Sequence, residues 1–199
     1  MKKLIVLSLT LILFTACENS SRYSQSSPEI DTIKAAIADY ENGNWESFRK
    51  VYSDTAKSFH NSKDVSTAPD KTVELMKKSV SNLSSYGFMK DEGDLEMVVD
   101  DQGRTWVNFW GTWEATLAAN NAKLVTPVHV TFQMVDNKVV REYGYWDNAP
   151  RMKAEMEAEA ARESKSAVMT RDSEKTKDAT MKKDPPKKKA TNTDDALKN

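Results

Sequence analysis

The sequence predicts an α+β domain with several helices and an antiparallel sheet. Between Thr105 and Asp147, aromatic and β-branched residues alternate with polar ones, and short turns interrupt them. This pattern is typical of antiparallel strands. Ahead of it, apolar residues recur at helical spacing. Because most of the helical segments precede the main strands, the order favours an α+β fold over a parallel α/β fold.

Three helices and one short strand are predicted before the main sheet. Ser27 is a suitable N-cap for the first helix, Pro28 suits its first position, and Asn42-Gly43 ends it. The third helix takes Leu83 as its last apolar residue. The predicted segments, in chain order, are the helix 28–41, the helix 45–53, the strand Lys57–His60 and the helix from Pro69 to about Ser84.

The region that follows is predicted to form a four-stranded antiparallel meander that needs no parallel crossover. Short turns at 101–103, 119–122 and 136–137 separate its strands. Gly111 and Gly144 fall inside strands, where a bulge or sharp bend is expected to curve the sheet. The predicted strands are Leu95–Val99, Arg104–Ala118, Lys123–Val135 and Lys138–Asp147.

The N-terminus reads as a targeting segment. Lys2 and Lys3 precede the apolar run Leu4–Phe14, which as a helix spans only about 16 Å and is too short for a bilayer. The run ends in Phe-Thr-Ala-Cys, which resembles the lipobox of bacterial lipoproteins, with Phe14 where Leu is usual. The resemblance implies that Cys17 becomes the mature N-terminus and carries lipid.

Two interpretations of Cys17 remain open at this stage. The sequence favours a lipoprotein over an ordinary secretory signal with an incidental cysteine, because the chain holds one Cys and no internal disulfide can form. Two or more acyl chains, such as palmitate, anchor a protein stably, since each buried methylene contributes about 0.8 kcal/mol. The expected location is therefore the bacterial cell envelope, on a membrane, facing the periplasm or the surface.

Charge and composition differ between residues 18–150 and residues 151–199 of the mature chain. Residues 18–150 carry 14 basic and 20 acidic side chains, which argues against nucleic acid as a partner. Residues 151–199 contain one Val, one Leu and no aromatic residue, so they are expected to form a short helix to about Lys165 and then a disordered tail. The basic stretch 182–189 suits anionic lipid, although a solvated tail is the simpler interpretation.

The sequence therefore predicts four segments. They are a signal peptide over 1–16, the lipidated Cys and a polar linker over 17–27, one folded domain over 28–150, and a charged tail over 151–199.

The folded segment resembles the nuclear-transport-factor-2-like superfamily, which includes ketosteroid isomerase and SnoaL-like polyketide cyclases. Three stretches carry the resemblance: IKAAIADYENGNWESFRKVYSDTAKSFH, NFWGTWEAT and PVHVTFQMVDNKVVREYGYWD. It implies a cone-shaped fold whose helices close one face of a curved sheet over a pocket. The other face is often a dimer interface in this superfamily, so a homodimer through the outer sheet face is expected.

The resemblance also implies candidate catalytic residues. SnoaL-like cyclases use an acid near the end of the last strand as general base, and Asp147 matches that position; the alternative is that Asp147 caps the following segment. His129 is a candidate acid or base, although a lone histidine on a strand is more often structural. Tyr143 is a candidate phenolic donor to an oxyanion, or a core aromatic residue.

A second group of residues suits an apolar or ring-shaped ligand, or else ordinary core and dimer packing. No metal site and no cofactor are predicted, because the two histidines lack ligand spacing and no phosphate-binding loop is present. The candidate ligand-binding residues are Tyr40, Trp106, Trp110, Trp113 and Tyr145.

Two functions are therefore expected. The first is a membrane-anchored lipoprotein whose pocketed domain binds a small apolar ligand or an envelope protein without catalysis. The alternative is a cyclase- or isomerase-type enzyme that uses Asp147 as its general base.

Overall fold

A computed structural model describes residues 22–90 and 93–181 of the chain. The chain divides into two compact units, residues 1–154 and 155–199. The helices are α1 Pro28–Glu41, α2 Trp45–Lys50, α3 Pro69–Val80 and α4 Ala149–Met181. The strands are β1 Tyr23–Ser24, β2 Tyr52–His60, β3 Leu83–Phe88, β4 Asp94–Val99, β5 Thr105–Leu117, β6 Lys123–Val135 and β7 Lys138–Trp146. The α+β class is confirmed.

Local signals explain the ends of α1. The Ser27 hydroxyl accepts a hydrogen bond from the Ile30 amide at 3.2 Å, and Pro28 takes the first position. Asn42 forms the C-cap, and Gly43 follows at a φ of +69°, a value that favours glycine. These features match the prediction from the sequence. Asn44 is the N-cap residue of α2, but its side chain makes no cap hydrogen bond.

The sheet has seven strands and is open. Its main path runs β1-β4-β5-β6-β7-β2, and β3 pairs with the far part of β5 beside β4. The antiparallel meander from β4 to β7 is confirmed. The expectation that the fold needs no parallel-sheet crossover was wrong, because β2 pairs with β7 in parallel. That pairing joins residues 84 to 87 positions apart in the chain, so no local pattern indicates it.

Several segment boundaries also differ from the prediction. The second helix ends at Lys50 instead of residue 53, and the strand after it begins at Tyr52 instead of Lys57. The third helix ends at Val80, and Leu83 begins a strand that pairs with β5. The expected linker contributes β1, which pairs with β4. The last helix continues to Met181, beyond the predicted end near Lys165. Leu83 continues the apolar spacing of α3, and only its long-range pairing with Leu117 makes it a strand residue.

One face of the sheet, here called the inner face, packs on α1 and α2. The residues of this core are fully or almost fully buried. They include Ile30, Ile33, Ala36, Phe48, Tyr52, Val107, Phe109, Phe132, Met134 and Val139. The opposite side is called the outer face. It carries alternate residues of the same strands, as the strand period requires.

A bulge or sharp bend was expected at Gly111 and Gly144, but neither glycine marks a bulge. The β5–β6 register is continuous through Gly111, and the β6–β7 register is continuous through Gly144. Each glycine instead lies beneath an aromatic ring. A Cβ at Gly111 would lie 2.5 Å from Phe109 Cζ, and a Cβ at Gly144 would lie 2.7 Å from Trp146 Cζ3. The missing side chains therefore make room for rings two residues away on the same strand.

Within residues 22–90 and 93–181, no helix combines the length and apolar character needed to cross a bilayer. The signal segment and Cys17 lie outside the described residues.

Candidate functional site

The residues singled out in the sequence separate onto the two faces of the sheet. Tyr40 and Trp113 lie on the inner side. The others on strands lie on the outer face and form a group here called the aromatic patch: Trp106, Trp110, His129, Tyr143 and Tyr145. The structure therefore does not bring the candidate catalytic and ligand-binding residues together into one pocket.

The most exposed part of the aromatic patch is a row across three strands. His129 on β6 is directly opposite Trp110 on β5 and Tyr145 on β7. The indole of Trp110 stacks on the imidazole with ring centroids 4.8 Å apart and planes 8° apart. Trp110 is 41% exposed and Tyr145 is 47% exposed. Exposed large aromatic side chains that are neighbours on a rigid sheet are typical of protein interfaces.

Trp106 and Tyr143 form the other part of the aromatic patch, and neighbouring side chains hold both rings in place. The Trp106 indole nitrogen donates to Asp100 Oδ2 at 3.0 Å, and the Arg104 guanidinium lies 5.6 Å from the same ring. Tyr143 stacks on Phe59 with centroids 4.9 Å apart. These contacts fix the ring orientations, so the patch is preorganised.

His129 does not have the surroundings of a catalytic base. Its Nε2 atom is buried and has no hydrogen-bond partner in the described part of the chain. The ring lies against Trp110 on the outer face, away from the inner-face core. The contact that the His129 side chain makes is therefore stacking on the Trp110 ring.

Tyr40 and Trp113, the two inner candidates, bond to each other. The Trp113 indole nitrogen donates to the Tyr40 hydroxyl at 3.1 Å. Four aromatic rings, those of Trp45, Phe48, Tyr86 and Phe88, surround Tyr40. Burial raises the pKa of Tyr40 to about 12 despite the Trp113 hydrogen bond, which lowers it. This environment is that of a packed core aromatic residue with a satisfied hydroxyl.

Asp147 lies at the exposed end of β7, just before α4. Its Oδ1 atom accepts a hydrogen bond from the Ala149 amide at 2.8 Å. The contact is the one expected of an aspartate that caps the start of a helix.

A buried polar cluster on the inner face was not predicted from the sequence. Glu142 is 2% exposed, and its carboxylate accepts hydrogen bonds from three side chains. Tyr52 Oη and Ser58 Oγ each lie 2.8 Å from Oε2. His60 Nε2 lies 2.8 Å from Oε1. The cluster joins β2 to β7 at the parallel pair.

The cluster was missed because no local pattern indicates the parallel pairing of β2 with β7. A register shift in β7 adds a second departure from the expected pattern. Simple alternation along β7 places Val139 and Glu142 on opposite faces. The structure has an extra residue at Val140, because Gln133 pairs with Arg141 while Met134 pairs with Val139. A bulge of this kind turns both Val139 and Glu142 to the inner face. In the sequence, Glu142 is a single glutamate among aromatic residues, and this pattern does not identify a site.

The electrostatics of the cluster are coupled. Burial raises the pKa of the Glu142 carboxyl, but hydrogen bonds from His60, Tyr52 and Ser58 outweigh burial and hold the pKa below its usual range. Burial lowers the pKa of His60, and the Glu142 carboxylate outweighs that effect and raises it. Burial, with the nearby carboxylate, raises the pKa of Tyr52 well above its usual value. The favoured state is therefore an ionised carboxylate facing a readily protonated imidazole.

We expect the His60–Glu142 pair to make folding stability depend on pH in both directions. The raised pKa of His60 means that its contribution is complete below 6.5 and is lost as pH rises through the folded-state value. The lowered pKa of Glu142 means that its contribution is complete above 4.5 and is lost as pH falls through the folded-state value. Both contributions are complete between these limits.

Urea unfolding from pH 3 to pH 9 measures this dependence. His60→Gln is the matched comparison, because it removes the titrating ring and should flatten the decline on the alkaline side. An unchanged alkaline slope in that variant would contradict the assignment to His60.

Within residues 22–90 and 93–181, no three His, Cys, Asp or Glu side chains form a group suited to holding a metal ion.

No protein-family model matches the sequence, and no curated protein matches it. Solved structures do match. PrhC from Penicillium brasilianum NBRC 6234 is 15% identical, with a TM-score of 0.54 over 70% of this chain and 93% of that one. A proposed SnoaL-like polyketide cyclase from Shewanella denitrificans OS-217 is 10% identical, with a TM-score of 0.51 over 64% and 96%.

A protein of unknown function from Burkholderia pseudomallei K96243, described as nuclear-transport-factor-2-like, is also 10% identical. It matches with a TM-score of 0.51 over 64% of this chain and 97% of that one. At such identities the likeness concerns the fold and not the activity. The predicted resemblance is confirmed at that level: the chain has the nuclear-transport-factor-2-like fold.

Proposed function

We propose that this protein is a lipid-anchored bacterial envelope protein whose domain binds a protein partner through the aromatic patch. The observation that carries the proposal is the row of Trp110, His129 and Tyr145 on three adjacent strands, in which the Trp110 and Tyr145 side chains are exposed. Trp and Tyr dominate the energetics of protein interfaces, because they combine large apolar area with few rotatable bonds.

The rim of the patch also resembles that of an interface. Arg104 and Arg141 lie over aromatic rings, and the Arg141 guanidinium donates to the Tyr143 hydroxyl at 3.1 Å. Asn108 donates to Glu96 at 3.1 Å beside them. An aromatic centre with charged and polar residues around it is the usual anatomy of a specific protein contact. A second copy of this chain and a different envelope protein are both candidate partners.

The inner face offers less support for binding a small apolar ligand. Trp113 and Tyr40 already satisfy each other, and Tyr40 is packed among four other aromatic rings. A ligand that used either side chain would first have to break this contact. The protein-binding alternative requires no such rearrangement.

We expect Cys17→Ser to release the protein from the membrane. Cys17 is the single cysteine of the sequence, so Cys17→Ser removes the thiol to which lipid would be attached. Fractionation of cells expressing each form, with mass spectrometry of the mature N-terminus, measures the effect. Unchanged membrane retention, or a mature chain that begins elsewhere, would contradict the lipid-anchored part of the proposal.

We expect Trp110→Ala to weaken partner binding by about 2 kcal/mol, or roughly 30-fold, the size typical of an aromatic hot spot. A photo-crosslinking amino acid at Tyr145 in living cells captures the partner, and mass spectrometry distinguishes a second copy from another protein. The same crosslinker at Leu75, which is 41% exposed on α3 and off the patch, is the matched control.

A single crosslinked product that forms from Tyr145, does not form from Leu75 and decreases with Trp110→Ala supports the proposal. Equal capture from both positions, or capture that Trp110→Ala leaves unchanged, contradicts it. Circular dichroism of each variant checks that the fold is intact.

A further inference from the structure

The segment just before α1 is fastened to the edge of the sheet. Arg22, Tyr23 and Ser24, here called the clasp, lie ahead of that helix, and the last two form β1. β1 pairs with β4 in an antiparallel arrangement, at Val98 and Met97. The clasp therefore joins the N-terminal part of the chain to β4, at one end of the sheet path.

Arg22 makes three contacts with β4 and the turn after it. Its carbonyl accepts a hydrogen bond from the Val99 amide at 2.8 Å, and its Nε atom donates to the Val99 carbonyl at 3.0 Å. Its Nη2 atom lies 2.6 Å from Asp101 Oδ1. The residue therefore holds both the end of β4 and the turn that follows.

Water can reach most of the contacts that close the clasp. The Arg22 and Asp101 side chains are 62% and 92% exposed, and solvent screens such a pair, so it contributes little to stability. β1 has two residues, and Tyr23 is 49% exposed. Segments with few buried apolar contacts open locally at a much smaller free energy than the core. The clasp can therefore open while the rest of the domain stays folded.

Opening the clasp changes the length of chain between Cys17 and the folded domain. An extended chain spans at most about 3.6 Å per residue. With the clasp closed, the five steps from Cys17 to Arg22 span at most about 18 Å. With the clasp open, the first fixed point is Ser27, which caps α1, and the ten steps to it span at most about 36 Å. The maximum reach of the domain therefore doubles.

We propose that the clasp is releasable and sets how far the domain stands from the membrane. The closed clasp holds the β4 edge close to the bilayer, whereas the open clasp lets the whole domain move outward on a longer tether. This inference rests on the lipid-anchored part of the proposed function. It does not depend on which protein binds the aromatic patch.

The clasp also sets where the aromatic patch meets its partner. Val98 is opposite Tyr23 on one side and Trp106 on the other, so the clasp adjoins the Trp106 end of the patch. Residues directly opposite each other on neighbouring strands share a face of the sheet. The closed clasp therefore keeps the patch near the membrane, and the open clasp presents it to partners farther away.

Amide hydrogen exchange of the purified full-length chain in detergent, followed by NMR, measures clasp opening. The Val99 amide, which bonds to Arg22, should exchange at least about 10-fold faster than the amide of the fully buried Val107, yet slower than a free amide. Arg22→Ala should speed Val99 exchange about 5-fold, the effect of losing weak surface contacts. Lys71→Ala removes the exposed Lys71–Glu74 pair on α3 and should leave Val99 exchange unchanged.

A disulfide should lock the clasp. Paired Cα atoms of antiparallel strands lie about 4.5–5.5 Å apart, within the range that a disulfide bridges. Tyr23→Cys with Val98→Cys should therefore slow Val99 exchange toward the Val107 rate when oxidised, and reduction should reverse this. If Val99 exchanged as slowly as Val107 in the unmodified chain, the clasp would open only with global unfolding, and the proposal would be overturned. Exchange at the rate of a free amide would overturn it as well, because the clasp would not close.

Fluorescence quenching at the membrane measures the reach. A fluorophore on Gln102→Cys, in an exposed turn, reports its distance from nitroxide-labelled lipid headgroups when the lipidated full-length chain is held on vesicles. Arg22→Gly with Tyr23→Gly opens the clasp and should reduce quenching, because glycine disfavours a strand and both side chains are lost. Ser20→Gly with Ser21→Gly, just before the clasp, is the matched control and should leave quenching unchanged.

Equal quenching in both double variants would overturn the change in reach. A chain that does not attach to the vesicles would overturn the lipid anchor and the reach together. Hydrogen exchange would still decide whether the clasp opens, so failure of the anchor and failure of the clasp are distinguishable.

Discussion

Glu142→Ala should destabilise the domain by about 3–5 kcal/mol, the usual result of removing one partner from a buried charged network. The substitution leaves the Tyr52 and Ser58 hydroxyls buried without their acceptor, and it removes the partner of His60. Each unsatisfied buried polar group costs roughly 1–3 kcal/mol. Chemical unfolding at pH 6, where the contributions of His60 and Glu142 are both complete, measures the loss.

Two variants make this result specific. Glu142→Gln keeps the shape and one acceptor oxygen, so its loss should be clearly smaller. Glu46→Ala removes an exposed carboxylate whose partner is Lys50, and it should change stability little, because solvent screens that pair. If Glu142→Ala lost no more stability than Glu46→Ala, the buried network would not stabilise the fold.

Gly111→Val should destabilise the domain by about 3 kcal/mol, at the upper end of the range for overpacking a core. Even the first carbon of a side chain would lie 2.5 Å from Phe109 Cζ. The Phe109 ring cannot move away freely, because it is 5% exposed and lies edge-on to Phe88 with centroids 5.0 Å apart. Thermal and urea unfolding measure the change.

A double-mutant cycle separates crowding from a general preference for glycine. Phe109→Leu shortens the side chain that occupies the space, so Gly111→Val should be less destabilising in that background. Additive losses in the double variant would show that the Phe109 ring is not the cause. Thr112→Val, a substitution on the same strand directed at the other face, is the matched control.

Local sequence signals were sufficient where the interaction that fixes an element lies within a few residues. Ser27, Pro28 and Gly43 fix the ends of α1 through a side-chain cap, a preset φ and a positive φ. The strands β5, β6 and β7 follow from alternation and from short turns in which Asn121, Asp136 and Asn137 adopt positive φ. The overall α+β class follows from these elements.

Sequence signals failed where the partner of a segment is distant in the chain. Leu83 continues the helical spacing of α3, yet it pairs with Leu117, and the polar residues Tyr23 and Ser24 pair with β4. The parallel pairing of β2 with β7 has the same origin. Backbone hydrogen bonds across a sheet depend on which edges meet, and no local pattern records that.

The candidate functional residues show the same difference between what local sequence signals indicate and what long-range pairing decides. Aromatic side chains on β5, β6 and β7 were identified from composition and alternation, but only the register distributes Trp110 to the outer face and Trp113 to the inner face. The sequence determined the fold class, the caps of α1, the main strands and the positions of the aromatic residues. The tertiary structure decided that Glu142 meets His60, because the parallel pairing of β2 with β7 brings together two segments that are distant in the chain.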